Sequence, residues 1–338
     1  MKNAVLVGVG MVADTHRMAL DASKLVNLTA VCARRPERAE DYAEKHGIRA
    51  VTLAEAAADP DIDFAIIATP PNARVDVVAA FAKAGKPILL EKPVERGLVA
   101  ATAIVERCEA LNVPLGVVFQ HRMREASQKL TELVAEGVLG ELAMAEICVP
   151  WWRDQGYYDA PGRGTIAQDG GGVLITQAIH TLDLALSLTG PVAQVQAMAR
   201  TSKMHGMEAE DVVAAGLDFS NGAVGTLTAT TASFPGGAET IALHGTKGSA
   251  RLESGVLLVH WQDGRTETFG ATAATGGGAD PMAFTHEWHQ GVIEDFAQAL
   301  DEKRPPMVTG RAALKTHALI EALMESSIEG KRMKVPSV

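Results

Sequence analysis

Residues 4–9 form an apolar run that leads directly into Gly8-Val9-Gly10-Met11-Val12-Ala13, and a helix-compatible stretch follows over 15–23. Few local patterns restrict a fold so tightly. A buried strand, a turn that needs glycine and a helix beginning a few residues later open a βαβ unit. Gly8 allows the tight turn, Gly10 lets a pyrophosphate approach the backbone, and Ala13 is small enough for the helix to lie against the strand. This is the G-x-G-x-x-A form of the dinucleotide fingerprint. The six residues alone are a weak signal, and the strand-turn-helix context gives them weight.

The pattern then repeats. Apolar runs over 28–32, 64–68, 88–90 and 115–119 alternate with helical periodicity over 36–46, 53–58, 72–84 and 98–111. Such alternation predicts a doubly wound parallel sheet, here a Rossmann domain over 1–120. Ligands of open α/β sheets bind at the carboxyl ends of the strands. The loops there are the glycine fingerprint, Ala33-Arg34-Arg35, Thr69-Pro70-Pro71-Asn72, Glu91-Lys92-Pro93 and Gln120-His121-Arg122. Pro93 stops its strand, and Lys92 is placed to present a positive charge to the crevice; the alternative is a surface lysine on a turn.

The end of the second strand bears on the cofactor. An acidic residue there would hydrogen-bond the ribose hydroxyls of NAD, whereas arginine accommodates a 2′-phosphate. The position holds Ala33, followed by Arg34 and Arg35. The expectation is NADP in preference to NAD, with NAD possible; the alternative is that both arginines are solvated residues ahead of the helix at Pro36.

Beyond residue 120 the character changes. A helix over 125–136 ends at Gly137, and strand-like runs follow over 142–149, 192–199, 212–219, 223–231, 240–244 and 256–261. Asn221-Gly222 and Gly245-Thr246-Lys247-Gly248 read as hairpin turns. Residues 121–338 are therefore expected to form a second, α+β domain with a large, mostly antiparallel sheet, closed by helices over 286–300 and 311–327. The glycine-rich stretch 276–278 reads as a mobile loop. Within this domain Gly170-Gly171-Gly172 opens a helical run over 173–188, and the intervals of four and three place Thr176, His180 and Asp183 on one helix face. That suits a binding cleft; the alternative is a histidine satisfied by Asp183 in a packed interior. Trp151-Trp152-Arg153, Tyr157-Tyr158 and Arg163-Gly164-Thr165 form an aromatic segment suited to sugar rings, with guanidinium groups for hydroxyls or a carboxylate. The alternative is an interface loop that packs against a neighbouring subunit.

Gly8-Val9-Gly10 with His16, Ala68-Thr69-Pro70-Pro71-Asn72, Glu91-Lys92-Pro93, and Gly170-Gly171-Gly172 leading to His180 and Asp183 resemble the Gfo/Idh/MocA oxidoreductase family, over essentially the whole chain. The resemblance implies an NAD(P)-dependent dehydrogenase or reductase acting on a secondary alcohol or ketone of a sugar, sugar derivative or nucleotide sugar. It implies that Lys92 and His180 flank the substrate hydroxyl as catalytic groups. With the loops above, the implied cofactor contacts are Gly8, Gly10, Met11, Val12, Arg34, Arg35, Thr69, Pro70, Asn72 and Glu91. Candidate substrate contacts are Arg122, Trp152, Arg163, Thr176 and Asp183. Members resembling inositol dehydrogenase carry an aspartate where this chain has Thr176, which weakens the case for myo-inositol. Two other readings stay open, an NAD-dependent glycosidase and a non-catalytic nucleotide-binding sensor.

Composition sets the remaining bounds. At 338 residues two domains are expected. A formal net charge of -10 argues against nucleic acid. Three cysteines without metal or disulfide spacing read as reduced thiols of a cytoplasmic protein, and no run is long enough for a membrane span. His286-Glu287-Trp288-His289 lacks the spacing of a zinc helix, so no metal is expected. The open face of the second sheet should be covered by another copy, giving a homodimer or homotetramer.

Overall fold

The computed structural model describes residues 1–273, 277–278 and 284–338; of the glycine-rich stretch, Gly276 lies outside the described residues. The chain divides into two compact units, Met1–Gln120 with Thr285–Leu314, and His121–Phe284 with Lys315–Val338.

The first unit begins β1 (Lys2–Val7), α1 (Ala13–Ala22), β2 (Val26–Cys32), α2 (Pro36–His46), β3 (Arg49–Ala50), α3 (Leu53–Ala58) and β4 (Phe64–Ile67). It continues with α4 (Arg74–Lys83), β5 (Ile88–Glu91), α5 (Leu98–Ala110) and β6 (Leu115–Val118). The six strands are parallel, in the order β3-β2-β1-β4-β5-β6. Every residue of β4, β5 and β6 is buried, as expected of central strands covered on both faces.

The second unit holds α6 (Glu125–Ala135), β7 (Leu142–Pro150), α7 (Gln155–Asp159) and α8 (Ile179–Thr189), then β8 (Val192–Arg200), β9 (Val212–Phe219), β10 (Val224–Thr230), β11 (Thr240–Gly245), β12 (Gly248–Glu253), β13 (Val256–Trp261) and β14 (Thr266–Gly270). The last helices of the chain are α9 (Glu287–Glu302), in the first unit, and α10 (Gly310–Glu329), which begins there and runs into the second; β15 (Met333–Lys334) follows. Among the described residues the second sheet has nine strands and is antiparallel apart from the β7–β10 pair. Asn221-Gly222 joins β9 to β10 as expected, with Asp218 opposite Val224. Alternate residues of β8 and β10 are exposed, including Met198 and Val224, so one face of this sheet is open within the chain. Among the described residues no helix is long and apolar enough to cross a membrane.

One expected boundary needs correction. The tail was assigned whole to the second domain, yet Thr285–Leu314 packs with the first. Buried Val292, Ile293, Phe296 and Ala297 form the apolar face of α9. Phe296 meets Phe64 edge-on at 5.3 Å and lies where a Cβ on Gly116 would be, 2.7 Å from its ring. Val117 donates a hydrogen bond to Val308 at 3.0 Å, closing the outer edge of the parallel sheet. The glycine in β6 is thus explained by an aromatic ring from a helix far along the chain.

Candidate active site

In the first unit the glycine turn is built by steric need. Gly8 has φ +109° and a Cβ there would lie 2.9 Å from the Ala68 carbonyl, so β1 and the end of β4 approach too closely for any other residue. Gly10 differs: a Cβ there would meet nothing within 4 Å. Space beside its backbone is what a pyrophosphate needs. Val12 caps α1 without a side-chain bond, the Ala13 amide donates to the Gly10 carbonyl at 3.1 Å, and the positive end of the helix faces the turn. The Thr69 hydroxyl is buried with no partner among the described residues, as a group awaiting a ligand would be. These features fit a dinucleotide. Met11 is half exposed beside the turn, and Pro70 and Asn72 are exposed in the loop after β4. Replacing Gly10 with alanine should leave thermal stability unchanged and weaken dinucleotide affinity about tenfold in a fluorescence titration, one methyl group having been put in the phosphate's path.

Arg34 and Arg35 are exposed between β2 and α2, and Arg35 occupies the N-cap position of α2. A third arginine went unnoticed in the sequence: Arg38 donates to the Val9 carbonyl at 3.1 Å, tying α2 to the glycine turn.

Lys92 follows β5 and is held by its backbone. Its N–H donates to the Glu91 carboxylate at 3.2 Å, and its carbonyl accepts from Arg74 at 3.3 Å. Arg74 also donates to the Glu91 carbonyl, and twice to the Thr69 carbonyl, at 3.0 and 2.9 Å. Burial lowers its guanidinium to about 10, so it stays charged at neutral pH. Arg74 therefore binds the Thr69 and Lys92 loops to each other, a role that no motif announced. Glu91, expected to contact the cofactor, is 5 % exposed, and its carboxylate is engaged by His16 at 2.8 Å. It shapes the loop from within, and direct contact with a ligand is replaced by that internal bond.

In the second unit the run after the three glycines is not uniformly α-helical. Leu174–Ala178 forms a π-helical turn before α8. Thr176 lies within that turn, and His180 follows in α8. The Thr176 hydroxyl donates back to the Gly172 carbonyl at 2.5 Å. Asp183 follows in α8. It is 1 % exposed and forms a two-pronged ion pair with Arg122, at 2.6 and 2.8 Å. Burial pushes the Asp183 carboxyl up, and the Arg122 bond opposes this. Two residues proposed as substrate contacts thus satisfy one another.

His180 is 6 % exposed, and its ring stacks on His121, centroids 5.0 Å apart and planes 29° off parallel. Glu210 shapes the approach to this histidine, accepting from the amides of Gly172 at 2.9 Å and Leu174 at 3.1 Å, while burial pushes its carboxyl up. Neither His121 nor Glu210 was selected from sequence; His121 was legible only as the residue after a strand end, and Glu210 carried no signal.

The aromatic segment separates into two parts. Trp151 and Arg153 are 5 % and 2 % exposed, the first donating to Glu239 at 3.2 Å and the second to the Trp152 carbonyl at 2.7 Å. Trp152, Tyr157 and Arg163 are half-buried, with the Arg163 guanidinium 5.2 Å from the Tyr157 ring centre.

Residues 2–119 match the family described as oxidoreductase family, NAD-binding Rossmann fold, and residues 127–251 match the GFO/IDH/MocA C-terminal domain. The chain is 28% identical to D-apiose dehydrogenase of Rhizobium rhizogenes, over 98% of this chain and 96% of that one. It is 27% identical to inositol 2-dehydrogenase of Rhizobium meliloti, over 98% of each. The WlbA dehydrogenase from Bordetella pertussis, solved with NADH and UDP-GlcNAcA, superposes with a TM-score of 0.85 at 27% identity, covering 99% of this chain and 98% of that one. Fingerprint, parallel sheet, second sheet and both matched domains agree, and the chain belongs to the Gfo/Idh/MocA family of oxidoreductases.

Proposed function

We propose that this protein is an NAD(P)-dependent dehydrogenase acting on a secondary alcohol of a sugar or sugar derivative, with Lys92 and His180 as its proton-handling residues. The observation that carries the reading is the clamp on Lys92: Glu91 and Arg74 hold its peptide groups at the end of β5, in the unit that also carries the glycine turn and the orphaned Thr69 hydroxyl. A bound nicotinamide supplies the hydride acceptor. Oxidation of a carbinol also requires loss of the hydroxyl proton, and an imidazole such as His180 is suited to take it. The Lys92 ammonium stabilises the developing alkoxide. Half-buried Trp152, Tyr157 and Arg163 offer aromatic faces and a guanidinium to a hydroxylated ring. Relatives named for D-apiose and inositol, and a structural neighbour holding UDP-GlcNAcA, support the substrate class.

The first measurement is cofactor reduction against a panel of free sugars, polyols, sugar acids and nucleotide sugars; no turnover on any of them, with the dinucleotide bound, would overturn the dehydrogenase reading. NADP should be preferred over NAD, since Ala33 stands where a carboxylate would repel the extra phosphate and Arg34 and Arg35 follow it as cations to pair with it. Michaelis constants for the two dinucleotides decide this, and a lower constant for NAD would refute it.

Self-association through the open face of the second sheet completes the proposal. Met198 and Val224, 66% and 58% exposed, stand on that face beside Gly216, Thr226 and Thr228. Apolar and small residues on a broad flat surface suit contact with another copy. Met198→Asp should shift the mass measured by light scattering toward a single chain; a parent protein that is already monomeric would rule the interface out.

A further inference from the structure

Three side chains from three elements meet inside the first unit: His16 of α1, Glu91 of β5 and His289 of α9, with donor atoms within 4.8 Å of one another. Their side chains are 0%, 7% and 2% exposed. Two imidazoles and a carboxylate at this spacing match a divalent-cation site, and the ring nitrogens decide against one. A ligating histidine almost always passes its second ring N–H to an acceptor. The Nδ1 of His16 is buried with no partner among the described residues. A proton there would be an orphaned buried donor, costing about 1–3 kcal/mol, whereas unsatisfied acceptors are better tolerated. The proton of His16 therefore sits on Nε2, which lies 2.8 Å from Glu91 Oε1 and donates to it. A metal on Nε2 would push the proton to Nδ1, where no acceptor is placed among the described residues.

The triad does something else. Nε2 of His289 lies 3.6 Å from the same Oε1, while the second oxygen of Glu91 accepts the Lys92 N–H. The two rings meet edge to face at 5.2 Å, leaving the carboxylate little room to turn away. Burial alone would raise the Glu91 pKa, but the His16 hydrogen bond and the neighbouring His289 ring outweigh it and hold the group well below the usual carboxylate range. A charged oxygen is the stronger acceptor for an amide.

We propose that His16 and His289 are positioning residues for Lys92: they hold the Glu91 carboxylate against the Lys92 amide and so fix the point from which the ammonium reaches out. This rests on the proton-handling role given to Lys92 above. It also makes α9 part of the lysine's support, since His289 reaches Glu91 from that helix.

The test is a kinetic cycle on the sugar that the panel identifies, with thermal unfolding and dinucleotide titration confirming that each variant is folded and binds cofactor. His289→Leu and Glu91→Gln should lower kcat roughly tenfold to hundredfold with little change in the Michaelis constant for the dinucleotide, the loss that small misplacements of a reacting group produce. His289→Gln, which keeps an N–H donor, should recover most of it. In a Lys92→Ala background, His289→Leu should add no further loss, because the histidine acts through the lysine. A normal kcat in folded His289→Leu and Glu91→Gln, or losses that multiply in the double variant, would overturn the positioning role alone. Parental turnover in Lys92→Ala would overturn the assignment of Lys92, and the positioning role with it.

Discussion

Lys92→Ala should lower kcat by at least tenfold, His180→Ala should do the same, and both variants should keep the parent's affinity for the dinucleotide. A positioned proton donor or acceptor contributes ~10²–10⁴-fold to turnover, so tenfold is the smallest loss compatible with the roles proposed. Cofactor affinity should survive because the groups fitted to the phosphates are backbone amides and the glycine turn. The peptide N–H and carbonyl of Lys92, which alanine retains, bond to Glu91 and Arg74. Steady-state kinetics on the identified sugar, with fluorescence titration of the reduced dinucleotide, separate the two effects. Near-parental kcat in either variant would remove that residue from the proton chemistry. A matching loss of cofactor affinity would show that the residue supports the fold of its loop.

The second large effect is expected at Gly172. A methyl group there would lie 1.7 Å from the carbonyl oxygen of Glu210 and 2.7 Å from its carbonyl carbon. That backbone has little freedom to yield: the same carbonyl accepts from Val173 at 2.8 Å, and the Glu210 carboxylate holds the amides of Gly172 and Leu174. Gly172→Ala should therefore destabilise the second unit by about 3 kcal/mol, at the upper end of what overpacking costs, and lower kcat through the segment that leads to His180. Urea unfolding measures the first effect. An unchanged midpoint would mean that Glu210 moves aside and that the three glycines serve something other than close backbone packing. The contrast with Gly10, whose missing Cβ would meet nothing, separates a glycine kept for a ligand from one kept for the chain itself.

The strands and helices of the first sheet were legible because buried parallel strands are continuous apolar runs and each helix has its own period. The glycine turn and the loop holding Lys92 could be found for the same reason: both follow strands whose ends the sequence marks. What sequence could not show was how charged residues are spent. Arg122 and Asp183 looked like ligand contacts and proved to be each other's partners, because no spacing rule connects residues brought together only by packing. Glu91 looked like a cofactor contact, and its carboxylate is turned toward His16 and His289. The π-helical turn at Leu174–Ala178 left no mark either, since intervals of four and three read the same for a regular α-helix.

The return of α9 to the first unit bears on how the protein is made. The parallel sheet emerges from the ribosome early, but the ring of Phe296 that fills the space over Gly116, and the His289 imidazole beside Glu91, are synthesised only after the whole of His121–Phe284. Domains usually fold as units, N-terminal first, during synthesis. Here the nascent dinucleotide-binding half must wait unfinished, with its β6 edge uncovered and the Lys92 loop lacking one of its supports, until nearly the last segment of the chain arrives.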